Sequence, residues 1–253
     1  MNEKQMIGVV GGVGPFAGVD LLRKIAEQTE AARDQDHLPI LSISHPGPIG
    51  DRTEYLLGRE PVNPAYALAA QLRLLSRMGA AVAGIPCNTA HAPRIFDVIR
   101  AETADLPVRL LHMIEEVGRF LQTHYPEVER VGILSTVGTY QAEVYPQVLE
   151  KVGFTAVTPP FDQLESHIHP AIYDPGYGIK AQTPVTERAR ADLLVGVAAL
   201  QEAGAQAVIL GCTEIPLAIP ESRIGDTIMI DPTLILARAL IREAGGRVKG
   251  LVG

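Results

Sequence analysis

The chain has 253 residues, 47% of them hydrophobic and 20% charged, which suits one large or two small domains with an ordinary apolar core. Its formal net charge is −7 without a basic cluster, which argues against a nucleic-acid surface, and no apolar run approaches the roughly 20 residues that span a membrane. No secretory apolar segment follows the first residues, so we expect a cytoplasmic protein with reduced thiols.

The first half of the chain predicts strands that alternate with helices. The apolar run 6–10 is typical of a buried strand, and the glycines and proline of 11–15 lead into a helix from about 16 to 30. We expect one apolar face of this helix to be buried, namely Val19, Leu22, Ile25 and Ala26. Further strands are expected at 39–45, 80–85 and 108–111, and further helices at 65–78, 90–102 and 114–123. The Pro- and Gly-rich segment 46–64 predicts a long irregular loop, which is usually functional.

The same order of elements begins again in the second half. Val131 opens a strand 124 positions after Ile7, and a glycine-bearing turn again follows it. The remaining strands are expected at 154–158, 207–210 and 228–230, and the helices at 141–151, 184–203 and 233–243. The segment 161–184 fits no single element.

This alternation predicts an α/β fold with parallel sheets. We expect two pseudo-symmetric lobes, each a mainly parallel sheet flanked by helices, with the active site in the cleft between them. The first lobe should comprise residues 1–112, with 227–253 packing back on it, and the second should comprise residues 113–226.

The two cysteines, Cys87 and Cys212, each follow a predicted strand and precede small polar residues, 125 positions apart. Free cysteines are often only small buried hydrophobes. A disulfide is disfavoured by a reducing compartment, and a metal site lacks further ligands at suitable spacing. A thiol at a helix N-terminus is stabilised as thiolate, so matching positions in two repeats favour two catalytic thiols that face one substrate from opposite sides.

Other motifs allow more than one interpretation. Residues 12–17 fit the loose dinucleotide fingerprint G-x-G-x-x-A, but the strand at 39–45 ends without the acidic residue that would hold a ribose. A tight turn around a small anion is the better interpretation. His91 could be the base of a cysteine hydrolase or simply a packed histidine. Arg52 and Lys180 lie in irregular segments, where a cation either is solvated or binds a carboxylate.

Together, these residues resemble the cofactor-independent aspartate/glutamate racemase superfamily, and within it the aspartate racemases. The resemblance covers nearly the whole chain and rests on GGVGP at 11–15, RDQDH at 33–37, DRTEY at 51–55, PCNTAH at 86–91, GCTE at 211–214 and DP at 231–232. The two cysteine motifs, in this order, are specific to the superfamily. The Asp-Arg-Thr segment narrows the resemblance to the aspartate racemases. The chain departs from the pattern at Val13, where aspartate racemases often carry methionine.

The resemblance implies that the protein racemises L- and D-aspartate without pyridoxal phosphate, nucleotide or metal, and that it is a homodimer. One of the catalytic thiols, Cys87 and Cys212, would remove the Cα proton, and the other would return a proton to the opposite face. The implied substrate-binding residues are Val13, Arg52, Asn88, Thr89, Ala90, Thr136, Thr139, Lys180, Thr213 and Glu214. Alternatives are a racemase of glutamate or another amino acid, a decarboxylase or isomerase, a cysteine hydrolase, and a non-catalytic amino-acid-binding protein.

Overall fold

The computed structural model describes residues 4–250, and the chain divides into two compact units. The first unit comprises Met1–Glu116 and Thr233–Gly253, and the second comprises Val117–Pro232. The predicted first lobe also included residues 1–3 and 251–253, which lie outside the described residues.

The first unit contains a four-stranded parallel sheet. Its strands are β1 (Met6–Gly11), β2 (Ile40–Ser44), β3 (Ala80–Gly84) and β4 (Arg109–Leu110), in the order β2-β1-β3-β4. The helices between the strands are α1 (Pro15–Gln28), α2 (Arg52–Leu56), α3 (Ala65–Arg77) and α4 (Pro93–Glu102), and α5 (Met113–His124) follows β4 and continues into the second unit from Val117. Apolar side chains of β1, β3, α3 and α4 form one core cluster of this unit.

The second unit contains a five-stranded sheet in the order β6-β5-β7-β9-β8. Its strands are β5 (Arg130–Ser135), β6 (Thr155–Val157), β7 (Ala207–Gly211), β8 (Arg223–Ile224) and β9 (Thr227–Ile230). All neighbours are parallel except β8, which pairs antiparallel with β9. The helices are α6 (Val137–Gln141), α7 (Val144–Lys151), α8 (Phe161–Gln163), α9 (His169–Tyr173), α10 (Glu187–Glu202) and α11 (Ile215–Ala218), and α12 (Pro232–Glu243) follows β9.

The two sheets repeat one topology, which confirms the predicted α/β fold of two mainly parallel sheets. If β5, β6, β7 and β9 are matched to β1, β2, β3 and β4, the strand order is the same. Gly8 and Gly132 occupy the equivalent position in the first strand of each unit. An added Cβ at Gly8 would lie 3.1 Å from the Cβ of Ala80, and one at Gly132 would lie 3.1 Å from the Cβ of Ala205. Both units therefore have glycine where an added methyl group would be in unusually tight contact with an alanine Cβ.

The predicted buried face of α1 is confirmed at Ile25, only in part at Leu22, and wrong at Val19 and Ala26. Val19 is 63% exposed and Ala26 is also exposed, whereas the side chains of Asp20 and Lys24 are buried and form an ion pair. The buried residues of this helix are Ala17, Gly18, Asp20, Leu21, Lys24 and Ile25. A hydrophobic pattern assigns charged residues to solvent, but a buried charge is tolerated when an opposite charge pairs with it.

Three other expectations were also too simple. The segment 46–64 contains α2, which begins because the Asp51 side chain accepts hydrogen bonds from the N–H groups of Thr53 (2.7 Å) and Glu54 (3.0 Å). The helix predicted at 141–151 is interrupted at Glu143, which adopts a left-handed φ of 49°, so that α6 and α7 are separate. The ambiguous segment 161–184 contains α8, α9 and a π-helical turn between them.

The assignment of residues 227–253 to the first lobe is wrong for its first part. β9 is hydrogen-bonded to β7, so residues 227–232 belong to the second unit. From Thr233 onward α12 belongs to the first unit, where Leu236 and Leu240 pack so tightly that a Cβ at Gly84 would meet both at 3.1 Å. No helix within the described residues is both long and apolar enough to cross a membrane.

Candidate active site

Cys87 lies three residues after the carboxyl end of β3. Its backbone N–H donates a hydrogen bond to the carbonyl of Ile85 (2.8 Å), and a 3-10 turn at Thr89–His91 follows. The thiol therefore precedes a tight turn, and α4 begins later, at Pro93. Cys87 is 5% exposed and belongs to an apolar cluster that also contains Val13 and Ala90.

His91 contacts the backbone of the Cys87 loop and not the Cys87 thiol. Its Nδ1 lies 2.8 Å from the Cys87 carbonyl oxygen, so the neutral ring donates a hydrogen bond there. The ring stacks on Phe96 with a centroid distance of 4.9 Å and meets the edge of His112 at 4.8 Å. Burial, together with His112, lowers the pKa of His91 to about 3. The imidazole is therefore uncharged near neutral pH, and its Nδ1 is occupied by the backbone.

The other predicted binding residues of the first unit lie on two short turns. Arg52 is the first residue of α2, is partly buried, and donates from Nη1 to the Gly50 carbonyl (3.3 Å). Asn88 and Thr89 follow Cys87 directly and are buried, with exposed fractions of 2% and 7%. Two polar side chains thus adjoin the thiol in sequence and share its buried setting.

Cys212 follows β7 directly and lies beside a carboxylate. Its Sγ donates a hydrogen bond to Oε2 of Glu214 (3.0 Å), and the Thr213 hydroxyl donates to the same oxygen (3.2 Å). The other oxygen, Oε1, accepts from Nζ of Lys180, which forms an ion pair with it. Cys212 and Glu214 are 8% and 2% exposed. The structure therefore connects four of the residues predicted from sequence through one carboxylate.

The charges in this group oppose one another. Burial raises the pKa of the Cys212 thiol, the Glu214 carboxylate raises it further, and Lys180 lowers it in part. Burial alone would lower the pKa of Lys180, but Glu214 and then Cys212 outweigh this effect and raise it. Lys180 is therefore a cation, and the thiol is protonated beside an anion.

The remaining predicted residues, Thr136 and Thr139, lie at the start of α6. Thr136 caps this helix by accepting from the N–H of Thr139 (3.3 Å), and the two hydroxyl oxygens are 3.2 Å apart. Thr139 lines a cavity of about 270 Å³ at the carboxyl end of β5, together with Ser135, Tyr140, Gln141, Glu143, Tyr145 and Thr158. This volume is slightly below the range of roughly 300–1,000 Å³ that is usual for small-molecule pockets.

Tyr145 is a residue of this region that sequence reasoning missed. It lies on α7, is 1% exposed and lines the same cavity. Burial raises its pKa strongly, and the charges of Asp231 and Cys212 raise it further. A single tyrosine within an apolar helical pattern is usually a core residue, so no local sequence signal marked Tyr145 as part of a site. Among the described residues, no cluster of three or more His, Cys, Asp or Glu side chains could hold a metal ion.

Two α/β units with one strand order, each with a free, buried cysteine after its third strand, define a duplicated α/β protein. The model of the Asp/Glu/hydantoin racemase family matches residues 10–240. The chain therefore belongs to the Asp/Glu/hydantoin racemase family, whose racemases are isomerases.

Solved structures agree with this assignment. The chain is similar to the aspartate racemase of Picrophilus torridus, with 28% identity, a TM-score of 0.80, and coverage of 97% of this chain and 96% of that one. An aspartate racemase homologue from Pyrococcus horikoshii OT3 has 23% identity and a TM-score of 0.71, with 96% and 100% covered. Glutamate racemase from Francisella tularensis, solved with D-glutamate, has 17% identity and a TM-score of 0.61, with 96% and 82% covered. The last two show a shared fold.

Proposed function

We propose that this protein racemises aspartate without a cofactor, and that Cys87 and Cys212 are its two acid/base groups. The observation that carries the proposal is the equivalent placement of two free thiols. Each is buried and follows the third strand of its unit, β3 or β7. Membership of the racemase family and the similarity to an aspartate racemase support this chemistry and this substrate.

In the proposed reaction, one thiolate takes the Cα hydrogen as a proton and becomes a thiol. The electron pair of the C–H bond stays on Cα as a carbanion. The other thiol then gives its proton to the opposite face of Cα and becomes a thiolate, so that atoms and charges balance. Each sulfur must reach within about 3–4 Å of Cα for these transfers.

The carbanion needs stabilisation because a Cα hydrogen is only weakly acidic. We assign Asn88, Thr89 and Thr213, with nearby backbone amides, to the α-carboxylate, where negative charge builds up in the transition state. Arg52 and Lys180 would bind the side-chain carboxylate. Val13, Ala90, Thr136, Thr139 and Glu214 would complete the walls of the site.

The deciding experiment follows the Cα proton of L-aspartate by proton NMR in D₂O. The protein is first dialysed against a chelator and treated with hydroxylamine, which removes metal ions and any carbonyl cofactor. We expect the Cα signal to disappear and D-aspartate to form at full rate. Dependence on an added cofactor, or an unchanged Cα signal, would exclude the proposal. L-glutamate and L-alanine in parallel samples test the substrate.

The same NMR experiment, together with variants that lack either cysteine, distinguishes two competing functions from the proposed one. A non-catalytic amino-acid-binding protein would bind aspartate without exchanging its Cα proton, and binding would survive loss of either cysteine. A cysteine hydrolase is disfavoured because Nδ1 of His91 bonds the Cys87 backbone and the pKa of this histidine is about 3. A hydrolase would form an acyl-enzyme that mass spectrometry detects.

We further propose a homodimer that works in the cytoplasm. The resemblance to aspartate racemases supports the dimer, and chemistry by two thiols requires a compartment that keeps them reduced. Sedimentation equilibrium would give the mass of a single 27.1 kDa chain if the dimer assignment were wrong.

A further inference from the structure

The Glu214 carboxylate receives hydrogen bonds from three different side chains, which is more than packing requires. Oε2 accepts from the Cys212 thiol at 3.0 Å and from the Thr213 hydroxyl at 3.2 Å, and Oε1 accepts from the Lys180 ammonium. An ionised carboxylate can only accept, so the hydrogen between sulfur and Oε2 belongs to the sulfur. A thiolate at the same place would put two negative charges next to each other in a buried site.

We propose that Glu214 is a positioning residue that keeps Cys212 in the protonated thiol form in the resting protein, and that Lys180 holds Glu214 in place for this task. The role in turnover rests on the proposed function, because it supplies the thiol that protonates the carbanion. The role in the resting protein depends only on the contacts within the second unit. Glu214 thereby keeps Cys212 ready to donate a proton.

The charged and titratable groups around Cys212, and those that act on them, come from five parts of the unit. Glu214 lies on the same loop, and Lys180 precedes α10, with its Nζ 5.6 Å from the centroid of the Tyr173 ring on α9. Tyr145 on α7 also interacts with Cys212, and Asp231 after β9 acts on Tyr145. Glu214 and Lys180 have opposite charges, so removing either one changes the potential at the sulfur in the opposite sense.

The cycle closes without another reactant. After the transfer, Cys212 is a thiolate beside Glu214 and the partner cysteine is a thiol. Once product leaves, Cys212 takes a proton from water and the partner cysteine returns one to water, so the resting state is restored. Since L- and D-aspartate have equal free energies in water, kcat/KM is the same for both enantiomers in every variant. A ratio of the two directions therefore cannot test Glu214, and a direct titration of the thiol is needed.

The test titrates Cys212 in Cys87→Ser protein, in which it is the only thiol. The rate of alkylation by iodoacetamide is followed by mass spectrometry between pH 6 and 11, and the midpoint gives the pKa. We expect Glu214→Gln to lower the midpoint by at least one unit, because the amide removes the negative charge, which corresponds to a tenfold larger thiolate fraction below the midpoint. Lys180→Met should raise it. Glu221→Gln is the matched control, because Glu221 pairs with Arg190 at an exposed position of the same unit and should leave the midpoint unchanged.

Opposite shifts in Glu214→Gln and Lys180→Met would support the assignment, since general loosening of the site would move both midpoints in one direction. An unchanged or raised midpoint in Glu214→Gln would overturn it. Glu214→Asp places a shorter acid farther from the sulfur and should give an intermediate midpoint. It replaces Glu214→Gln in the test if circular dichroism shows that the Gln variant is unfolded. If the midpoints of Cys212 alkylation shift as expected but the wild-type protein does not exchange the Cα proton of aspartate, the proposed function is rejected. The role of Glu214 in the resting protein is then still supported.

Discussion

The two cysteine loops occupy equivalent places in the two units and differ in the charged groups that lie near the thiol. The described contacts of Cys87 are backbone hydrogen bonds, one of them from the neutral His91 ring, and the apolar side chains of one core cluster. Cys212 instead donates to the Glu214 carboxylate, which Lys180 pairs from the other side. The repeated topology thus preserves the place of the thiol and leaves its electrostatic setting free to diverge.

This difference suits an acid/base pair better than two identical sites would. A reaction that removes a proton on one face and returns one on the other needs one group deprotonated while its partner is protonated. The Glu214 carboxylate beside Cys212 favours the thiol form of that cysteine, which is one half of such a mixed state. The predictions below either remove this asymmetry or measure it, in order of decreasing effect.

Removing one thiol should have the largest effect. Cys87→Ala and Cys212→Ala should each lose racemisation by about 10²- to 10⁴-fold, the usual contribution of a general acid or base. Each variant should still exchange the Cα proton of one enantiomer with D₂O, because its remaining thiol faces that proton, and the two variants should select opposite enantiomers. Proton NMR of L- and D-aspartate measures this. Exchange of both enantiomers at equal rates in both variants would contradict the two-thiol assignment.

The two cations that we assign to the side-chain carboxylate allow a second comparison. Arg52→Ala should lower kcat/KM for aspartate by about 2–4 kcal/mol and affect alanine far less, because it removes the charge that pairs with the second carboxylate. Lys180→Ala should also lower kcat/KM for aspartate, but it should affect alanine as well, because Lys180 also pairs with Glu214 beside the Cys212 thiol. Arg59→Ala is the control, since this arginine lies just after α2 and its side chain is 68% exposed. Equal losses for both substrates in Arg52→Ala would remove its role in specificity.

His91 should make stability depend on pH. Its folded-state pKa of about 3 lies below the ordinary value of 6.5, so the unfolded chain binds the additional proton between these values. The stabilisation is present above pH 6.5 and is lost as pH falls toward 3, by about 2 kcal/mol between pH 7 and 5. His91→Asn keeps a donor near Nδ1 and cannot titrate, so its loss over this range should be smaller. Urea unfolding at both pH values measures the difference, with the exposed His37→Asn as control. Parallel pH curves for wild type and His91→Asn would show that His91 contributes none of the slope.

The smallest effect concerns the repeat itself. Gly8→Ala and Gly132→Ala should each destabilise the protein by about 1 kcal/mol, because the added methyl group meets the Cβ of an alanine that cannot rotate away. Gly47→Ala should be nearly neutral, since an added Cβ there meets nothing within 4 Å. Chemical denaturation gives all three values. A large difference between Gly8→Ala and Gly132→Ala would mean that the two sheets do not pack alike.

Much of the fold could be predicted because its signals are local. Short apolar runs separated by helical patterns gave the central strands of both units to within a residue or two, and the spacing of the halves indicated the repeat. Local patterns failed at the ends of the repeat. The strand β9 was assigned to the wrong unit because an apolar run does not indicate which strand it pairs with, and β9 pairs with β7.

The sequence by itself determined the order of the central strands and the long helices, the duplication, and the place of each cysteine after a strand, because these show in short apolar runs and helical patterns along the chain. Only the tertiary structure decided which side of α1 is buried, since the Asp20–Lys24 pair overrides the hydrophobic pattern. It also brought Lys180 to Glu214 across 34 residues, from a segment without a periodic pattern. The charges that act on a buried thiol come from side chains close in space, so the difference between the two cysteines became visible only in the folded chain.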